Sequence, residues 1–166
     1  IATHLSVGGI FTVERNWFGP SATPSASFHS CCHNNDVLFF RGNVVSGQSC
    51  LVRPGVMLLA GISGEISHNI FANNLNAHIG VLYPFQETRI WIHHNVFRGN
   101  ETLNPGYGSV MTTGPDAFQR FDSNLVNDNA GPTIAYLDIY HTVIDARNNW
   151  WGDASGPFHP TLNPQG

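Results

Sequence analysis

The sequence predicts an all-β fold, a parallel solenoid in which short strands coil about one axis. Three observations carry this. A pattern of an apolar residue, two variable positions, an asparagine and two more apolar residues occurs six times, with its asparagine at 16, 43, 69, 95, 124 and 149. The steps between these asparagines are 27, 26, 26, 29 and 25 residues, a period that belongs to repeat architectures rather than to a single globular core. The units are built from β-branched and aromatic residues between Asn/Gly-rich turns, with no sustained 3.6-residue apolar period, so the coils are strands and not helix pairs.

The units run in order along the chain. They are Val13-Glu14-Arg15-Asn16-Trp17-Phe18, Phe40-Arg41-Gly42-Asn43-Val44-Val45, Ile66-Ser67-His68-Asn69-Ile70-Phe71 and Ile92-His93-His94-Asn95-Val96-Phe97. Phe121-Asp122-Ser123-Asn124-Leu125-Val126 and Ala146-Arg147-Asn148-Asn149-Trp150-Trp151 complete the set. Each is expected to form a strand, a bend at the asparagine and a second strand. Asparagine tolerates the left-handed region and bonds its own backbone, so the bend is assigned to it. Once per coil it would stack on its equivalents, giving a structural ladder of Asn16, Asn43, Asn69, Asn95, Asn124 and Asn149. Gly55–Leu59, His78–Leu82, Gly108–Met111 and Thr133–Leu137 each begin about ten residues past a ladder asparagine. Their continuous apolar character predicts buried parallel strands of a second sheet. The loops between carry the remaining polar and aromatic residues, and function is expected there.

Asn69-Ile70-Phe71-Ala72-Asn73-Asn74 and Asn95-Val96-Phe97-Arg98-Gly99-Asn100 resemble the turns of right-handed parallel β-helices, the pectin lyase-like family. Asn148-Asn149-Trp150-Trp151-Gly152-Asp153-Ala154-Ser155-Gly156-Pro157 resembles a coil-closing segment of secreted bacterial repeat proteins of that type. The resemblance covers nearly the whole chain and implies a right-handed β-helix of about six coils. It does not imply an activity, because that architecture carries lyases, hydrolases, epimerases, adhesins and surface proteins without chemistry.

Residues 1–166 are read as one β-helix domain, expected to be an excerpt of a longer solenoid or tandem array. At ~4.8 Å per coil the rod would be about 30 Å long. An offset of 133 residues lays Asn149-Trp150-Trp151-Gly152 on Asn16-Trp17-Phe18-Gly19, and Ile134-Ala135 on Ile1-Ala2, so one structural element opens and closes the chain. Charged residues are 11% of the chain, the net charge is −4, and all seven cations are arginine. With no basic patch there is nothing to hold phosphate, so nucleic acid is not an expected partner. No apolar run reaches the length of a membrane span, and no membrane insertion is expected.

Candidate chemistry is sparse. Four places before each ladder asparagine stand Thr12, Phe39, Glu65, Trp91, Arg120 and Asp145; two places before stand Glu14, Arg41, Ser67, His93, Asp122 and Arg147. Neither column sets two acids on adjacent coils, as a two-carboxylate site would need. Asp122 and Asp145, with Arg120 and Arg147, are the weak catalytic candidates. His68 and His94 share a column and are the weak metal candidates, although two imidazoles fall short of a complete ligand set. Cys31, Cys32 and Cys50 are disulfide candidates, a link from Cys31 or Cys32 to Cys50 being expected in a secreted chain. Asn100-Glu101-Thr102 is the single Asn-x-Ser/Thr sequence, making Asn100 the glycosylation candidate. Trp17 and Trp150 are expected to pack in a core or turn. No cofactor is expected, and calcium stays open.

These features point first to a non-catalytic structural or interaction module, extracellular or on a cell surface, acting through self-association or contact with a surface or polysaccharide. A surface fibre or filament subunit stacking end to end is the concrete form. The alternatives are a carbohydrate-active enzyme, polysaccharide lyase or glycoside hydrolase, and a carbohydrate-binding module.

Overall fold

A computed structural model describes residues 2–5, 9–20, 27–30, 36–49, 57–59, 62–76, 79–81, 88–104, 106–114, 118–136, 144–157 and 161–163. The strands are β1 (Ala2–Leu5), β2 (Ile10–Glu14), β3 (Trp17–Phe18), β4 (Ser27–Ser30), β5 (Asp36–Arg41), β6 (Val44–Ser46), β7 (Met57–Leu59) and β8 (Ile62–Ser67). They continue as β9 (Ile70–Ala72), β10 (Ile79–Val81), β11 (Arg89–His93), β12 (Val96–Arg98), β13 (Met111–Thr113), β14 (Phe118–Asp122), β15 (Leu125–Asn127) and β16 (Ile134–Tyr136). All pairings between these strands are parallel. The chain is therefore a parallel β-solenoid.

Three sheets stack along the axis. The first, in order β14-β11-β8-β5-β2, holds the strands before the ladder asparagines; the second, β15-β12-β9-β6-β3, holds those after them. The third is β16-β13-β10-β7, and β1 pairs with β4 separately. The second sheet of the sequence reading thus becomes a third one, because the asparagine turns the chain from one sheet into another. The coil count also differs from the six expected. The continuous sheets hold five, five and four strands, and the last unit joins only through isolated bridges, Arg120 to Asp145 and Leu125 to Trp150.

Register follows the sequence repeat. Residues three before each ladder asparagine point inward, with Phe40, Ile66, Ile92 and Phe121 buried, and so do those two after it, Val45, Phe71, Phe97 and Val126. Inside, rings form a spine from end to end: Phe18, Phe40, Phe71, Phe97, Phe121 and Trp151, with successive centroids 5.9, 6.3, 5.0, 5.6 and 6.1 Å apart. Such contacts add about 0.5–1.5 kcal/mol each to the burial itself. The third sheet closes the core with Leu59, Ile79 and Met111.

The left-handed residue at each bend is not the asparagine but the one before it. Arg15, Gly42, His68, His94, Ser123 and Asn148 have φ of 57, 62, 57, 53, 55 and 61°. The asparagine itself is the hydrogen-bond hub. The backbone N–H of Asn16, Asn43, Asn69, Asn95 and Asn124 each donates to the Oδ1 of the next asparagine at 2.8–3.0 Å. Its Nδ2 donates to that same oxygen and, from Asn43 onward, to a carbonyl of the preceding coil.

A second ladder stands five residues on, through Gln48, Asn74, Asn100 and Asn129. It repeats the arrangement, Asn74 Nδ2 donating to Asn100 Oδ1 and Val45 O, and Gly47, Asn73, Gly99 and Asp128 taking the left-handed position before it. Among the described residues no helix is long and apolar enough to cross a membrane.

Candidate functional site

The outward face of the first sheet gathers a cluster of charged side chains. Strand alternation sends positions four and two before each ladder asparagine outward. Paired strands then align Phe39, Glu65, Trp91 and Arg120 in one column and Glu14, Arg41, Ser67, His93 and Asp122 in the next. Position Asp145 extends the first column by its bridge to Arg120.

These side chains bond to one another. Arg41 lies over the Phe39 ring at 4.3 Å, donates to Glu65 Oε2 at 2.7 Å and stands 3.8 Å from Glu14. The Ser67 hydroxyl donates to Glu65 Oε1. His93 Nε2, buried, is 3.2 Å from the same oxygen but without hydrogen-bond alignment. The His93 ring stacks on Trp91 with centroids 3.8 Å apart, and Trp91 Nε1 donates to Asp122 Oδ1 at 2.7 Å. Arg120 grips Asp122 Oδ2 at 2.6 and 2.9 Å and lies 4.8 Å over Trp91. Arg147 makes a bidentate pair with Asp145 at 2.7 and 2.8 Å.

The protonation states follow from this pairing. Burial pushes the Glu65 carboxyl up, but hydrogen bonds from Arg41 and Ser67 and the Arg41 charge hold it below its ordinary value. Asp122 is the same case, burial being outweighed by Trp91 and Arg120. The Arg147 hydrogen bonds draw Asp145 down to about 2. Burial lowers His93, against the pull of Glu65, and leaves its imidazole neutral at neutral pH.

The sequence candidates fall as follows. Asp122 is buried and Asp145 lies one strand away, each held by an arginine, so the fold brings the four residues Arg120, Asp122, Asp145 and Arg147 together as two ion pairs. His68 and His94 are exposed and stacked, centroids 5.2 Å apart and planes within 7°. His93 Nδ1 is 2.7 Å from His94 Nδ1, so one ring donates and the other accepts. Among the described residues no three His, Cys, Asp or Glu side chains converge to hold a metal ion. Asn100 is 2% exposed, and its Nδ2 donates to Phe71 O and Asn129 Oδ1 as a rung of the second ladder. A glycan there would remove a structural rung, and the fold does not offer that nitrogen. Cys31, Cys32 and Cys50 lie outside the described residues.

Trp17 and Trp150 are a correction. They are 72% and 49% exposed, because the residue next after each ladder asparagine faces out and the following one faces in. That outward column runs Trp17, Val44, Ile70, Val96, Leu125 and Trp150, an apolar stripe along the whole second sheet. Beside Trp91 a cavity of about 540 Å³ is lined by Gly64, Arg89, Ile90, Trp91 and Arg120.

Sequence reasoning missed the network through Arg41, Glu65, Trp91 and His93, although both columns were legible. The signal was an alternation of sign from coil to coil, Glu14 facing Arg41 within one column and Arg41 facing Glu65 diagonally across to the other. No protein-family model matches this chain, and no curated protein or solved structure matches it.

Proposed function

We propose that this chain is a non-catalytic structural and interaction module of the pectin lyase-like type, extracellular or on a cell surface. One observation carries the reading. Each carboxylate on the outward face of the first sheet, Glu14, Glu65, Asp122 and Asp145, stands within ion-pair distance of an arginine. Glycoside hydrolysis needs one carboxyl kept protonated near neutral pH, and here the three resolved shifts all run downward. What the surface offers instead is contact area, an apolar stripe bounded by two tryptophans. Such surfaces mark interaction sites.

The test is incubation with neutral and acidic polysaccharides, with and without calcium. No new reducing ends and no unsaturated uronate absorbance are expected; either product would overturn the reading in favour of a hydrolase or a lyase.

A second reading, carbohydrate binding, has its own observation. Trp91 is part-exposed beside a cavity flanked by Arg89 and Arg120, an indole set among cations. Retention on an immobilised acidic polysaccharide, lost in Trp91→Ala, would support it.

A further inference from the structure

The outward faces on either side of the asparagine ladder suit different surroundings. On the first sheet charged side chains pair with one another. The outward column of the second sheet, Trp17, Val44, Ile70, Val96, Leu125 and Trp150, holds no charged, amide or hydroxyl side chain. Trp17, Ile70, Leu125 and Trp150 are 72, 37, 40 and 49% exposed. At about 250 Å² for a whole tryptophan, the two indoles alone leave about 300 Å² uncovered. A continuous apolar patch of that size marks a contact site.

The face is also level. The Trp17 indole is laid along the sheet, its Nε1 donating to Ser46 Oγ of the next coil at 3.3 Å. Its six-membered ring lies over Gly19, where a Cβ would meet it at 3.1 Å. Formal charge enters only at the two borders of the column, the residues just before and three after each ladder asparagine, as the exposed Arg15 and Arg98.

The order of the column selects its partner. Counted outward from a centre well inside the chain, Ile70 is matched by Val96, Val44 by Leu125 and Trp17 by Trp150. A strip that reads alike from both ends is complementary to itself turned end for end, as a two-fold, isologous contact requires. We propose that this face is covered by the same face of a second copy of the chain, with the two solenoid axes antiparallel. Ile70 then packs on the partner's Val96, Val44 on the partner's Leu125 and Trp17 on the partner's Trp150. The same turn sets Arg98 over the partner's Ala72 and Arg15 over the partner's Asn148, so no arginine meets another. With the aliphatic side chains and the borders added to the indoles, each copy covers about 500 Å², which reaches the roughly 1,000 Å² in total that a specific pair needs. Tryptophan and arginine are also the residues that dominate the energy of such contacts. The proposal rests on the non-catalytic reading above and names the partner of its contact area. A two-fold contact closes on itself, so assembly through this face stops at two.

Sedimentation velocity of the full chain over a range of concentrations tests this. The unaltered chain is expected to run as a dimer that dissociates on dilution. Ile70→Arg and Val96→Glu each set a charge against an apolar partner position, and each is expected to raise the concentration of half-dissociation about tenfold or more, with unchanged circular dichroism. Mixed together, the two variants place an opposite pair across one central contact and keep the native pair at the other, so the dimer returns in the mixture. A monomer at every concentration, or a mixture no more associated than its components, would overturn the pairing. A monomer retained on a neutral polysaccharide, and released by Ile70→Arg, would overturn it too and give the face to a carbohydrate. The two readings fail separately: a monomer that cleaves no polysaccharide removes the pairing alone, and a dimer that releases product removes the non-catalytic reading alone.

Discussion

At the scale of single residues, the bend of each coil divides two tasks that the sequence seemed to give to one. Left-handed backbone costs an L-residue about 1–2 kcal/mol. Arg15, His68, His94, Ser123 and Asn148 nonetheless adopt it, with Gly42 completing the column. The asparagine that follows satisfies the polar groups exposed by the turn. Its periodic place was readable because an asparagine stands at the same position in all six units. The division of labour was not, since it depends on φ, which residue type constrains only weakly for His, Ser or Arg. Asn95 illustrates the energetic stake. Its Nδ2 donates to Ile66 O, His93 O and Asn124 Oδ1, and its Oδ1 accepts from Asn69 N and Nδ2, all buried. Orphaned buried groups cost about 1–3 kcal/mol each, so Asn95→Ala is expected to destabilise by about 3–5 kcal/mol in urea unfolding. Asn16→Ala, exposed at the ladder end, should cost about 0.5 kcal/mol. Equal losses at both sites would show that the ladder is not what holds the bends.

At the scale of elements, strand alternation converts spacing into faces. The rule that placed Phe40, Ile66, Ile92 and Phe121 inside also placed Glu65, Trp91 and Arg120 outside, and both sets could be listed from the sequence. Trp17 and Trp150 were misjudged because large apolar residues usually settle inward, whereas their parity, one residue from the ladder asparagine, sends them out. The second ladder was also visible as Asn74 and Asn100. Gln48 hides it at one level, and its alignment needs strand register to be seen. Gly64 is the most constrained point of the first sheet: it sits in β8 at φ 138°, and a Cβ there would lie 2.0 Å from Leu38 O. Neither backbone can yield without breaking the β5–β8 ladder. Gly64→Ala is expected to cost more than about 3 kcal/mol, with Gly106→Ala, exposed and at ordinary φ, near neutral. A Gly64→Ala protein with an unchanged urea midpoint would refute that account.

At the scale of the whole molecule, each coil touches only its neighbours, so stability accumulates by stacking and is shared along the axis. The ion pairs on the first sheet make it depend on pH. Glu65, Asp122 and Asp145 are held below their ordinary values in the fold, so the unfolded chain takes up protons first. Their contribution is complete above about pH 4 and is lost as pH falls toward the folded values, about 2 for Asp145. His93, faced by Glu65, His94, Asp122 and His68, is also lowered. Its neutral form therefore stabilises fully above about pH 6.5, and that share is lost as pH falls below it. The melting temperature is expected to be level above pH 7, to decline gently below about pH 6.5 and to fall steeply below about pH 4. His93→Gln should abolish the first decline and keep the second. A first decline that persists in His93→Gln would move its origin to other histidines.

The sequence by itself determined the parallel solenoid, the identity of the ladder and the columns of residues one coil apart. All of these are consequences of periodicity, which is written in the order of residues. Only the tertiary structure decided that the asparagine separates two sheets, that Arg120, Arg147 and Arg41 occupy the acids as partners, that Asn100 is buried, and that the tryptophans face out. Those outcomes depend on which side chains from different coils come within hydrogen-bonding distance. Residues about 26 positions apart meet only after the chain has coiled, and their pairing energies are set by distances of a few ångströms that no spacing encodes.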